Sequence, residues 1–183
     1  MFAMDPIGHV RGGRAEAVDD FWGGTESRIE LTEDVPLGAL DGIEDFSHAE
    51  IVFVFDRVDP AKIVAGARHP RNNPEWPLVG IFAQRGKNRP NRIGRSIVRV
   101  LGREGRSLIV SELDTTEGTP VLDIKPVFSE YLPRGPVTQP EWSREIMRDY
   151  WSVREQQPRD RAETGRRMRT HLPGERIERT PPR

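Results

Sequence analysis

Residues 97–113, IVRVLGREGRSLIVSEL, decide the fold class. Two runs of aliphatic and β-branched residues, 97–101 and 108–113, flank the polar connection Gly102-Arg103-Glu104-Gly105-Arg106. Runs this short suit strands better than helices, and the glycine-bearing connection lets the chain reverse, so the stretch is predicted to be a β-hairpin. Working outward, the segments 51–55, 78–83, 96–101, 107–113 and 120–124 have the same character, with turn-forming clusters at 57–60, 86–90, 102–105 and 117–120 between them. No helical pattern of about 10–15 residues separates these strands, which argues for antiparallel neighbours and against a parallel, doubly wound sheet. The expected fold is all-β, an antiparallel barrel-like sheet occupying residues 1–140, with short helical turns within 32–40 and 60–67. After it, Trp142, Ile146, Tyr150 and Val153 recur at spacings of three and four, predicting a C-terminal helix over 141–156. Residues 157–183 are rich in Arg and Pro without periodicity and are expected to be a weakly ordered tail.

Composition narrows the function classes. Hydrophobic residues make up 35% and charged residues 31% of the 183, enough for one core with solvated loops. Lys and Arg number 28 against 29 Asp and Glu, so no global field draws in a polyanion, and nucleic-acid binding must rest on a local patch. The lack of cysteine excludes disulfides, thiolate zinc sites and cysteine nucleophiles, and fits a reducing compartment, so a cytoplasmic location and no metal are expected. No stretch approaches the roughly 20 apolar residues of a membrane span, and residues 1–13 lack the apolar run of a signal peptide.

Three segments carry candidate chemistry. Residues 82–94, FAQRGKNRPNRIG, bring Arg85, Lys87, Arg89 and Arg92 into one loop braced by Pro90, an arrangement suited to phosphates or a carboxylate because charge and geometry are set in advance. A solvated basic turn is the plainer reading of the same residues. Residues 113–126, LDTTEGTPVLDIKP, place Asp114 and Glu117 in a turn, with Asp123 and Lys125 on a strand after it. Alternation puts Val121, Asp123 and Lys125 on one strand face and Leu122 and Ile124 on the other. In a cleft the charged pair must be used or compensated, whereas in water it is an ordinary ion pair of small value. Finally, Phe46-Ser47-His48 runs into the strand at 51–55; a lone histidine there is more often a satisfied loop residue than a catalyst.

In order along the chain, these segments resemble the YaeB/TrmO family, also called VirR-like, of tRNA methyltransferases. The matches are Leu40, Ile43 and Phe46-Ser47-His48; then Phe82-Ala83, Arg85, Arg89-Pro90-Asn91 and Ile93-Gly94; then Leu113-Asp114 and residues 118–126, with Pro6-Ile7-Gly8 fitting the opening strand. Gln84, Gly86-Lys87, Arg92 and Val127 depart from the family pattern and make the loop more basic and less stiff, and an Arg-Ser-Pro signature after the first strand is missing. The resemblance implies a short-form, homodimeric barrel that binds S-adenosylmethionine without a Rossmann sheet. It also implies methyl transfer to N6 of threonylcarbamoyladenosine at position 37 of a tRNA anticodon loop. On the same footing His48, Arg85, Asn91 and Arg95 (through its backbone) are the expected cofactor contacts, with the turn Asp114, Thr115, Thr116, Glu117 and Gly118 closing over the cofactor. Arg89 and Lys125 are the expected contacts to the anionic acceptor, and Asp123 orients Lys125 or takes the proton. The alternative from another class is a β-barrel RNA-binding or regulatory module that keeps the scaffold without the transfer, for which the altered loop at Gln84, Gly86, Lys87 and Arg92 is the motive.

Overall fold

The hairpin alternation carries into the computed structural model, which describes residues 3–154. Its strands are β1 (Gly8–Arg11), β2 (Glu26–Leu31), β3 (His48–Val54), β4 (Ala67–Arg68), β5 (Val79–Gly80), β6 (Ile93–Glu104), β7 (Ser107–Ser111) and β8 (Pro120–Pro126), and one helix, α1 (Glu141–Ile146), follows. The protein is all-β: six strands close into an antiparallel barrel in the order β1-β2-β7-β6-β3-β8, and β4 and β5 form a separate two-stranded ribbon. The chain divides into two units, Met1–Val153 and Arg154–Arg183. The expected tail, 157–183, lies outside the described residues.

Period-two patterning closes the barrel. In β2 the buried positions are Ser27, Ile29 and Leu31, in β3 Ala49, Ile51 and Phe53, and in β7 Leu108 and Val110. On β6 the buried positions are Gly94, Ser96 and Val98, opposite Phe53, Ile51 and Ala49 of β3. The predicted hairpin is β6–β7, but its ladder runs on to Glu104↔Ser107, so the reversal takes only Gly105 and Arg106. Gly105 supplies the positive φ that so tight a turn requires. Arg106 then hydrogen-bonds the carbonyls of Thr32 and Val35, both at 2.8 Å, pinning the β2–β3 connection to the hairpin tip.

Three sequence expectations change. β2 was not anticipated, although Ser27, Ile29 and Leu31 alternate cleanly between charged neighbours. The strand expected over 78–83 shrinks to Val79–Gly80 and continues as the 3₁₀ turn Ile81–Ala83, leaving Phe82 78% exposed. The pairing of β3 with β8 shifts register between Val52 and Phe53, so Asp123 sits opposite Val52 while Val121 sits opposite Phe53. This β-bulge at Leu122 turns Val121 into the core and leaves Asp123 and Lys125 outside, where simple alternation puts all three together.

The strands direct three long connections, residues 12–25, 55–92 and 112–119, to one end of the barrel, here called the mouth. Behind it, Phe53 is fully buried and packs edge-on to Phe55 at 5.2 Å. A Cβ at Gly94 would collide with the Phe53 ring, so this glycine of the 82–94 segment serves close packing at the mouth rather than ligand approach. Gly94→Ala should therefore destabilise the protein by about 1–3 kcal/mol, the usual cost of overpacking. Urea denaturation with an unchanged m-value would show it, and an unaltered midpoint would remove the packing explanation.

Candidate active site at the barrel mouth

Asp114 follows directly on the buried Leu113 beyond the end of β7, and its carboxylate is held from both sides. Oδ1 accepts from the hydroxyl of Ser96, and Oδ2 accepts from the phenol of Tyr150. Ser96 occupies an inward position of β6 that alternation otherwise reserves for apolar residues. Beside it, Arg85 donates from Nη2 to the carbonyl of Arg95 at 2.9 Å, so two of the sequence-predicted residues meet there, Arg95 through its backbone. Arg71 approaches from the 55–92 excursion, locked bidentate on Asp20 at 2.7 and 2.8 Å.

The turn 112–119 is built as a clamp. Glu112 and Gly118 adopt positive φ, and the amide of Gly118 donates to the carbonyl of Val10 at 2.8 Å. Glu117 accepts from the amide of Gly13 at 3.1 Å and donates its own amide to the carbonyl of Arg14. Thr116 is buried with its hydroxyl 3.3 Å from that of Thr119. Arg57 reaches the carbonyls of Ala15 and Glu117 at 3.1 and 2.5 Å. Between this clamp and the strand ends lies a cavity of about 170 Å³, lined among others by Gly12, Gly13, Arg14, Trp22, Ser27 and Leu113. The Arg14 guanidinium stacks 4.5 Å from the Trp22 ring centre. The hydroxyls of Ser27, on that lining, and Thr115, in the clamp, are buried without a hydrogen-bond partner among the described residues, so polar groups are available there to a ligand.

The other predicted residues divide between the mouth loops and the outer wall. His48 opens β3, with Nδ1 2.9 Å from the Ser47 hydroxyl, and pairs with Arg99, which in turn lies opposite Ser111 at the end of β7. Three steps of about 3.3 Å, roughly 10 Å, separate it from Ile51, the partner of Ser96. Asn91 is exposed on the loop before β6, and Arg89 donates to the carbonyl of Gln84 at 3.3 Å. Asp123 and Lys125 pair with each other on the outer wall, next to Glu50, which is paired with Arg95. With side chains 45% and 61% exposed, Asp123 and Lys125 take the solvent-facing form of the two readings. The hydrogen bond from Arg95 holds the Glu50 carboxyl below its ordinary range, and the one that Lys125 donates to Asp123 raises Lys125. Among the described residues no His, Asp or Glu cluster is placed to hold a metal, and no helix is long and apolar enough to cross a membrane.

Sequence reasoning did not anticipate Ser96, Tyr150 and Arg71. A hydroxyl at an inward strand position was the available signal for Ser96; Tyr150 was absorbed into a helical stripe. That stripe is helical only over Glu141–Ile146, and the chain then turns through residues 147–151 to bring Tyr150 to the mouth.

Burial first, then the negative charge of Asp114, pushes the Tyr150 phenol well above its ordinary value, against the opposing pull of Arg85 and Arg71. An acid raised in the folded state keeps its share of stability below the unfolded value of about 10 and loses it as the pH climbs toward the folded value. The near-ultraviolet phenolate band of Tyr150, read as wild type minus Tyr150→Phe, should be absent at pH about 11 and appear only with unfolding. Its appearance in the folded protein at that pH would show the phenol to be free.

With this geometry in hand, the chain can be compared with known proteins. A family model described as the tRNA-methyltransferase O N-terminal domain matches residues 20–132. A human protein named tRNA (adenine(37)-N6)-methyltransferase is 40% identical over 96 residues, which is 52% of this chain and 21% of that one. A probable S-adenosyl-L-methionine-binding protein of Pyrococcus abyssi is 37% identical over 118 residues, 64% of this chain and 59% of that one. The chain thus spans about a fifth of the human relative's length. A crystal structure of TrmO from Pseudomonas aeruginosa superposes with a TM-score of 0.62 at 28% identity, covering 78% of this chain and 62% of that one. The match runs from the loop before β2 past the end of β8 and includes Arg85, Ser96 and the whole clamp around Asp114, so the chain belongs to the tRNA-methyltransferase O N-terminal domain family.

Proposed function

We propose that the chain transfers the methyl group of S-adenosylmethionine to N6 of a tRNA adenine, at position 37 and on its threonylcarbamoylated form. The observation that carries this reading is the Asp114 cluster: a fixed carboxylate and an exposed guanidinium, Arg85, at the mouth of a barrel whose relatives bear the names of such enzymes. The residues suit the donor. A carboxylate accepts from ribose hydroxyls or an ammonium, a guanidinium pairs with a carboxylate, and the partnerless Ser27 and Thr115 hydroxyls offer further polar contacts. The donor supplies an electrophilic sulfonium methyl. The chain's own contribution is to hold it, exclude water and orient a nitrogen whose delocalised lone pair makes it a poor nucleophile, so positioning must provide much of the rate.

On this reading Arg85, Asp114, the backbone at Arg95 and the turn Thr115, Thr116, Glu117 and Gly118 form the donor side, with Asn91 at its edge. Arg89 and Lys125 serve the acceptor. Lys125, kept charged by Asp123, faces out on the barrel wall where a polyanion can lie along it. Asp123 takes the acceptor's proton only if the base reaches that same wall. His48, at the start of β3, belongs to the same outer surface. Exposed Ile97 and Leu101 on β6 and Phe128 beyond β8 give this wall the apolar content of a homodimer contact. The cysteine-free composition suits a reducing compartment and so a cytoplasmic location.

Calorimetry with S-adenosylmethionine tests the donor side. Binding is expected, and Arg85→Ala should weaken it by about 1.5–3 kcal/mol, the loss of a charge-assisted hydrogen bond. No binding by the wild type would remove the enzymatic reading. Titration against tRNA at two salt concentrations tests the acceptor side: Arg89→Ala and Lys125→Ala should lower affinity, and a shallower salt dependence would mark a phosphate contact. Loss of discrimination between modified and unmodified tRNA would instead mark contact with the threonyl carboxylate. Unchanged tRNA affinity in both variants would contradict their assignment.

A further inference from the structure

Residues 141–153 follow the family-matched region, yet they are fitted to the mouth. The amides of Phe21 and Trp22 donate to the carbonyls of Asp149 and Tyr150 at 3.0 and 2.7 Å, and the Trp76 indole donates to Glu145 at 2.8 Å. Opposite this strap stands Gly23, where any Cβ would collide with the Trp151 carbonyl. The loop that receives the strap is therefore shaped for it, since only glycine admits so close an approach. Tyr150, the residue delivered by this docking, packs edge-on to Trp151 at 5.0 Å and extends its hydroxyl to Asp114.

The chemistry of that contact indicates its use. Asp114 is fixed by two neutral hydroxyl donors, Ser96 and Tyr150. An arginine in either place would also fix the carboxylate but would offset its charge; hydroxyls leave the charge and the remaining lone pairs available. Such a carboxylate is suited to receive hydrogen-bond donors from a ligand, whether hydroxyls or an ammonium. We propose that the C-terminal strap is a wall of the methyl-donor site and that Tyr150 is a positioning residue, which sets the Asp114 carboxylate for the donor. This rests on the proposed donor reading.

Calorimetry with S-adenosylmethionine on the full chain, run for the wild type, Tyr150→Phe, Asp114→Asn and the double variant, separates the possibilities. Tyr150→Phe, which keeps the ring, should weaken binding about tenfold, and the double variant should bind no worse than Asp114→Asn alone, because Tyr150 acts through Asp114. A purely structural tyrosine would lower the melting temperature and leave the dissociation constant where it was. Gly23→Ala displaces the strap without altering Asp114 or Tyr150 and should weaken binding as well, which keeps the test intact should Tyr150→Phe fold poorly. Wild-type binding with equal affinity in Tyr150→Phe, or in Gly23→Ala, overturns the inference and leaves the donor reading standing, and fully additive losses in the double variant overturn the route through Asp114. Absence of binding by the wild type overturns the donor reading and this inference with it.

Discussion

The structure depends on β8, which pairs with β3 along one edge and with β1 along the other and so closes the barrel. Its contact with β1 covers only Gly8↔Val121 and His9↔Pro120, extended by hydrogen bonds from Ile7 to Val121, Val10 to Thr119 and Gly118 to Val10. Closure removes sheet edges, but here it does more. The bulge opposite Val52 and Phe53 rotates Val121 into the core, and the turn before β8 must then fold back over β1. That fold places Asp114 and the Thr115–Thr116 pair against the barrel mouth, next to inward-facing Ser96. The site is thus a consequence of how the last strand enters, not an addition to a finished barrel.

Charge is organised locally, as near-neutral composition requires. Many of the arginines are structural: Arg106 and Arg103 tie the hairpin to the 32–41 connection, Arg57 holds the clamp, and Arg71 is committed to Asp20. Arg85, at the mouth, has an exposed side chain anchored by one carbonyl. Outside, the row Arg95, Glu50, Lys125 and Asp123 alternates in sign along the wall. Exposed pairs of this kind contribute little to stability.

Strand identity was legible where β-branched runs met turn residues, as in 97–113, and failed where tertiary packing chose the outcome. The bulge at Leu122 inverts one residue of β8 and leaves no mark in the alternation. Residues 78–83 have strand composition, yet the chain leaves the ribbon after Gly80. Of the site, Asp114 and Arg85 were readable because they stand in motifs, and Arg95 because it follows Gly94. Tyr150 was not, since its spacing from Trp142 and Ile146 suits a helical stripe and nothing local reveals that the helix stops at Ile146. His48, read as one of the cofactor group, stands on the outward face of β3 three residues before Ile51, the partner of Ser96, and motif spacing does not encode which face it takes.

The mouth, around Asp114, Arg85 and the docked strap, is the proposed seat of the methyl donor. A crystal structure of the protein grown with S-adenosylmethionine tests it most directly. The account predicts the ligand at the mouth, hydrogen-bonded to Asp114 and Arg85 with Tyr150 still on the carboxylate. Ligand bound instead along the outer wall near His48 and Lys125, with the Asp114 cluster untouched, would contradict it.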